Sequence, residues 1–126
     1  MPKWVNSAVL DNGIAQIKSA ATQMRLLSAY AAGDSFATVA ANTLATATMA
    51  SGDYTLGTSG SNRTLTTAAG KSATASASAS GTPDLHIAFT DGAAVYWVTD
   101  ETSNQPITAG NLVTFPSVVY TANQPT

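Results

Sequence analysis

The sequence predicts a mainly β protein, a β-sandwich or jelly-roll-like antiparallel fold with one short N-terminal helix, and three observations carry that prediction. Asp84 to Thr99, DLHIAFTDGAAVYWVT, reads as a β-hairpin folded about Asp91-Gly92. Lys71 to Ser80, KSATASASAS, alternates alanine with hydroxyl residues at the two-residue period of a strand. Short apolar runs elsewhere are punctuated by turn residues about every eight to twelve positions.

Taken in order, Ser7 to Ala21 (SAVLDNGIAQIKSAA) places Val9, Leu10, Ile14 and Ile17 on one stripe of a helix, with Asn6 or Ser7 as its N-cap. Gly13 costs that helix about 1 kcal/mol against alanine. Trp4 and Val5 stand where they can staple its entry. Gln23 to Tyr30 (QMRLLSAY) suits a strand or more helix, and the strand is favoured. Ser35 to Ser51 fits both periods; a short turn of helix near Phe36 and a strand from Asn42 to Met49 are expected. Gly52 to Asn62, GDYTLGTSGSN, reads as a mobile loop around a contact at Tyr54 to Leu56. Arg63 to Ala68 alternates as a strand does, and a turn at Gly70 follows.

Lys71 to Ser80 is either a low-complexity linker or a strand whose alanine face lets another layer approach closely, and the strand is preferred. In the hairpin, a type I′ turn at Asp91-Gly92 sets Thr90 opposite Ala93, Phe89 opposite Ala94, Ile87 opposite Tyr96, His86 opposite Trp97 and Leu85 opposite Val98. One face is then Leu85, Ile87, Phe89, Ala94, Tyr96 and Val98, for the core. The other carries His86, Ala88, Thr90, Ala93, Val95, Trp97 and Thr99, for solvent, a second sheet or a partner. Asp100 to Asn104 is a polar turn, Gln105-Pro106-Ile107 a brief edge segment and Ala109-Gly110-Asn111 another turn. Leu112 to Phe115 and Ser117 to Thr121 are strands parted by Pro116. The chain is thus expected to be one domain, with an N-terminal arm and helix over 1–21, a β-sandwich over 22–121 and a loose tail over 122–126.

Composition narrows the function. Charged residues make up 10% of the 126 residues, against ~25% in an ordinary soluble domain, which suits a protein that works assembled. Net charge is −2, and Lys3, Lys18, Arg25, Arg63 and Lys71 are scattered, so no nucleic-acid footprint is expected. Cysteine is absent, which removes disulfides, thiolate metal sites and a cysteine nucleophile. No secretory h-region and no membrane-length apolar run appears, so a soluble chain made in the cytosol is expected.

Catalytic groups are few. His86 is the one histidine and sits opposite Trp97 in the expected register, a structural setting more than a catalytic one. Asp84 shares its face, but nothing positions a serine, and no Gly-x-Ser-x-Gly elbow exists. Asp100 and Glu101 are adjacent, point to opposite faces and lack calcium-loop spacing, so they read as solvated turn charges. Gly52, Gly57 and Gly60 are too irregular for a phosphate loop, and Asn62-Arg63-Thr64 is a glycosylation acceptor in form only. The sequence therefore assigns no catalytic, cofactor-binding or metal-binding residue, and it predicts a non-enzyme with binding or assembly surfaces.

The order of features resembles the head decoration, or capsid cement, proteins of tailed bacteriophages. The resemblance spans most of the chain: the opening WVNSAVLDNGI, MRLLSAY followed by TLATATMASGDY, the pair RTLTTAAGKSATASASASG, the hairpin LHIAFTDGAAVYWVT and the ending TAGNLVTFPSVVY. It implies a virion structural protein, made in the host cytoplasm, that binds the outer surface of an HK97-like capsid. The partners implied are the major capsid protein and further copies of the chain as a homodimer or homotrimer, with neither nucleic acid nor membrane. Interface candidates are His86, Val95 and Trp97 on the second hairpin face and Trp4 on the N-terminal arm, with core packing the competing role for each tryptophan. The alternatives are a phage tail, baseplate or fibre module, or a carbohydrate-binding module or small hydrolase. Few carboxylates and a single histidine count against the hydrolase.

Overall fold

In a computed structural model that describes every residue except Met1, Pro2, Val5, Thr102 and Thr126, the chain is mainly β and sandwich-like, with every strand pairing antiparallel. The elements are α1 (Ser7–Ala20), β1 (Gln23–Leu27), α2 (Phe36–Ala41), β2 (Thr43–Thr48), a 3₁₀ turn (Ser51–Asp53), β3 (Tyr54–Ser59), β4 (Asn62–Thr67), β5 (Ser72–Thr74), β6 (His86–Thr90), β7 (Val95–Asp100), β8 (Leu112–Thr114) and β9 (Val119–Ala122). They form a four-stranded sheet β2-β1-β6-β7, a three-stranded sheet β3-β4-β9 and a two-stranded ladder β5-β8.

The helix stripe is buried only over its second half, with Leu10 half-buried and Val9 58% exposed. Ile14 and Ile17 are buried in the main core, which also takes Met24, Leu26, Tyr54, Leu65, Ile87, Phe89 and Phe115. Two cations fix α1 to the sheet below. Lys18 Nζ donates to Ser51 O and Tyr54 O at 2.9 and 2.7 Å, and Arg63 Nε pairs with Asp11 Oδ1 at 2.6 Å. The expected staple is not made by Trp4, which is 73% exposed, and Val5 lies outside the described residues.

The opposite face of the four-stranded sheet is closed by α2. Ser35 Oγ caps that helix by accepting the Thr38 N–H, and Val39 is buried with Leu27 and Ala88. Arg25, central in β1, also lies on this face. Its guanidinium donates to Thr90 Oγ1, Thr43 Oγ1 and Gln23 Oε1 at 2.8–3.2 Å and stands 5.3 Å from the centroid of the Phe36 ring. Burial among neutral partners lowers its pKa from the ordinary value.

Gly52 to Asn62 is not the expected loop. After the 3₁₀ turn, β3 pairs with β4 through a two-residue connection, Gly60-Ser61, with Gly60 at φ +63° in the manner of a type II′ turn. Asp53 stiffens the start of β3: its Oδ2 accepts from Ala50 N at 2.8 Å and from Lys71 Nζ at 3.0 Å, and both bonds hold its pKa below the ordinary carboxyl value. The Tyr54 hydroxyl, buried, donates to Ala21 O at 2.7 Å.

The alanine-hydroxyl alternation holds over its whole length, although regular pairing covers only β5. Ala75 is buried and Ala73, Ala77 and Ala79 are half-buried, while residues 72, 74, 76, 78 and 80 all face solvent. Beyond β5 the chain bends at Ser76 and Ala77, held by a bond from Ser76 N to Leu44 O at 2.7 Å, and pairs again in a bridge between Ala79 and Ile107. The tail is also more ordered than expected. β9 runs to Ala122, and Gln124 N donates to Asn62 Oδ1 at 2.8 Å.

The β6–β7 hairpin exists, but its register differs from the expected one. Gly92 does not take a positive φ, and the connection is four residues, Asp91 to Ala94. The reason is the Asp91 side chain. Oδ1 accepts the N–H groups of Ala93 and Ala94, both at 2.7 Å, and Oδ2 accepts the Tyr96 hydroxyl at 2.7 Å. Thr90 then pairs with Val95 and Phe89 with Trp97, a bulge leaving Tyr96 without a partner. Phe89 thus meets Trp97, three positions beyond the expected Ala94, and the odd displacement exchanges the two faces of β7 from Trp97 onward, while Val95 and Tyr96 keep their expected faces. Trp97 turns to the core side, and Val98 packs against Leu27, Val39 and Ala88.

Candidate functional site

The described residues that expose large apolar side chains are Trp4 on the arm, Val9 on α1, Leu112 on β8, and Val119 and Tyr120 on β9. Val9 is 58% exposed and Tyr120 stands partly clear of the surface across a shared cleft, while Val119, 54% exposed, is turned by strand alternation to the other face of β9. Between α1 and β9 runs a cleft of about 330 Å³ whose lining includes Val9, Leu10, Gly13, Tyr96, Tyr120 and Ala122. Gly13, which weakens the helix, contributes no side chain there, and a Cβ at that position would meet nothing within 4 Å.

Two arrangements hold this surface in place. β9 pairs with β4 alone, so it is an edge strand with one row of backbone groups unpaired in its sheet. The Tyr120 ring meets Trp97 edge-on at 5.4 Å; Trp97 stacks on Phe89 at 4.5 Å, and Phe89 meets Tyr54 at 6.1 Å. This aromatic ladder runs from the buried Tyr54 to the surface and joins the three-stranded sheet to the four-stranded one. A ring fixed in that way loses little conformational freedom when it is covered, which suits a binding anchor. At the other wall of the cleft, the bond to Asp91 orients Tyr96; it raises the Tyr96 pKa and, with the two N–H donors, lowers that of Asp91.

The four sequence-predicted interface residues do not form one surface. Trp97 lies inside the ladder. Val95 is half-buried against the cluster of Leu27, Val39 and Ala88. His86 pairs with Asp100 instead of Trp97, its ring packed by Tyr30 with centroids 5.8 Å apart. Trp4 alone is freely exposed, on the arm before α1.

Val9 belongs to the expected helix stripe yet faces outward, and Val119 and Tyr120 stand only within an expected strand, although a signal for the last two exists. Val118, Val119 and Tyr120 are three consecutive apolar residues in a strand, and alternation must turn at least one of them outward. The grouping of Asp84, His86 and Asp100, all within reach of one another, depends on the hairpin register and had no such signal.

A second cleft of about 290 Å³ lies where Leu26 and Ile87 face Ile107, Val113 and Phe115, with Glu101 at its margin. Among the described residues no helix is long and apolar enough to cross a membrane. Comparison with protein-family models, with curated proteins and with solved structures finds no match.

Proposed function

We propose that this chain is a non-enzymatic virion protein that binds the outer surface of an HK97-like phage capsid and stabilises it as a cement, using the α1–β9 surface as its anchor. The observation that carries the reading is that surface: exposed Val9 and Tyr120 on an apolar cleft beside an edge strand, with Tyr120 anchored through Trp97 to the core. Low charge and the resemblance of the sequence to decoration proteins support the same reading. A thin shell is stabilised when each small protein bridges several subunits, because linked sites multiply avidity without strong single contacts. The unpaired edge of β9 is also a place for a second copy to add, which suits the dimers or trimers that symmetric shells recruit.

The test is co-sedimentation of the purified chain with empty capsids and, separately, with tails, followed by imaging of whatever binds. Saturating, symmetric density on the shell supports the cement role, and Val9→Asp, at an exposed position outside the aromatic ladder, should abolish it while leaving the fold intact. Density on tails alone overturns it in favour of a tail, baseplate or fibre module. A sugar-dependent rise in melting temperature without shell binding overturns it in favour of glycan capture in the Tyr96–Tyr120 cleft.

A further inference from the structure

We propose that Asp84, His86 and Asp100 form a surface site for a divalent transition-metal ion of the zinc class. His86 opens β6, Asp100 closes β7 as its cross-strand partner, and Asp84 lies two residues before His86. One carboxylate oxygen from each aspartate and one ring nitrogen of His86 lie within 4.8 Å of one another. The imidazole is already oriented. Its side chain is 17% exposed, Tyr30 packs against the ring, and Nδ1 donates to Asp84 O at 3.1 Å. In the neutral ring this leaves the lone pair on Nε2, the arrangement by which a main-chain carbonyl fixes a metal-binding histidine.

Nε2 stands 3.9 Å from Asp100 Oδ1, too far for a hydrogen bond. A tetrahedral zinc-class ion with bonds of about 2.0–2.2 Å sets its donors roughly 3.3–3.6 Å apart, so this pair needs to close by only a few tenths of an ångström. Asp84 and Asp100 are exposed, and a small rotation of either side chain closes the wider separation. Neither carboxylate has a lysine or arginine partner among the described residues, so no fixed lysine or arginine charge competes with a cation there. One imidazole nitrogen with two carboxylates matches a borderline ion such as zinc, whereas calcium and magnesium take oxygen alone. Three protein ligands leave at least one coordination position for water or for a group on a neighbouring molecule.

The experiment uses the full chain, dialysed against a chelator and titrated with zinc chloride by calorimetry while the imidazole nitrogens are followed by NMR. The sequence has one histidine, so a single ring reports. Saturable binding of one ion per chain is expected, with the Nε2 resonance shifting and Nδ1 keeping its proton. Asp100→Asn, at a side chain 63% exposed, should keep the fold and weaken binding by about tenfold or more. Asp84→Asn gives the same reading if that variant fails to fold. Non-saturating heats up to millimolar zinc, an unchanged imidazole spectrum, unaltered affinity in the folded aspartate variants, or displacement of zinc by equimolar calcium would each overturn the site.

Discussion

Phe89 and Trp97 face each other across β6 and β7 with ring centroids 4.5 Å apart and planes 13° from parallel. The stack is a product of the hairpin register, and it decides what Trp97 is for. A residue that the turn sequence alone would send to the outer face becomes the central rung between Phe89 and Tyr120.

Trp97→Ala should therefore act on stability. A fully buried tryptophan replaced by alanine costs about 3–5 kcal/mol, and the partial exposure of Trp97 brings the expected loss to roughly 2–4 kcal/mol. Trp4→Ala should stay within about 0.5 kcal/mol, as exposed positions do. Urea denaturation of the two variants separates a core role from a surface one, and equal losses would contradict the ladder.

The two hairpin turns make opposite predictions for their glycines. Gly60 sits at φ +63°, so Gly60→Ala should destabilise by about 1–2 kcal/mol. Gly92 has no such conformation, and a Cβ there meets nothing within 4 Å. Gly92→Ala should be neutral, or stabilise by about 0.4–1 kcal/mol through the unfolded chain. Thermal melting of both variants checks the turn assignments directly.

Asp91 gives the hairpin a pH dependence with a definite sign. The Tyr96 hydroxyl and the Ala93 and Ala94 N–H groups depress its pKa below the ordinary 3.8, so folding favours the carboxylate. Its contribution is present above that ordinary value and is lost as pH falls through the lower, folded one. Asp53 shifts in the same direction. Melting temperature should fall more steeply below about pH 4 in the wild type than in Asp91→Asn. The variant should be less stable near neutrality, and the two curves should converge in acid.

The alanine face of the Lys71 to Ser80 segment is packed, and a substitution series will show it. Ala75→Leu forces extra volume into a filled layer and should cost about 1–3 kcal/mol, whereas Ser80→Leu, on the solvent side, should stay within about 0.5 kcal/mol. A linker would tolerate both equally, so denaturant midpoints distinguish the two states of this segment.

Where a residue pattern acts locally, the sequence was legible. The α1 helix with Ile14 and Ile17 inward, the strand at β1, the turn of helix at Phe36 and the alternation of residues 71–80 all follow from spacing and are found in place, while Val9 of the expected stripe faces outward. Gly52 to Asn62 misled because its glycines outweighed Gly60-Ser61, the two-residue hairpin signal between alternating flanks. The β6–β7 register misled for a different reason. The backbone preference of Asp-Gly lost to three hydrogen bonds made by the Asp91 side chain, and side-chain bonds of that kind depend on where Tyr96 comes to rest. Both the exposed Tyr120 surface and the grouping of Asp84, His86 and Asp100 rest on pairings between distant segments or on that register, which spacing cannot report.

Those distant pairings set a timetable for folding. The β3–β4 and β6–β7 hairpins join neighbours in sequence and can close on the scale of about 1–10 μs. The ladders that assemble the two larger sheets cannot: Gln23 must find Thr90, and Arg63 must find Ala122. Long loops must close before those contacts repay their entropy, which places folding with the slow β topologies, at milliseconds to seconds. Until β9 arrives, β4 keeps one bare edge and Leu65 lacks its Tyr120 partner, so a half-folded chain offers a strand to whatever other copy is nearby. Docking of β9 and mispairing with another half-folded copy thus compete for the β4 edge, and the speed of β9 docking decides between them.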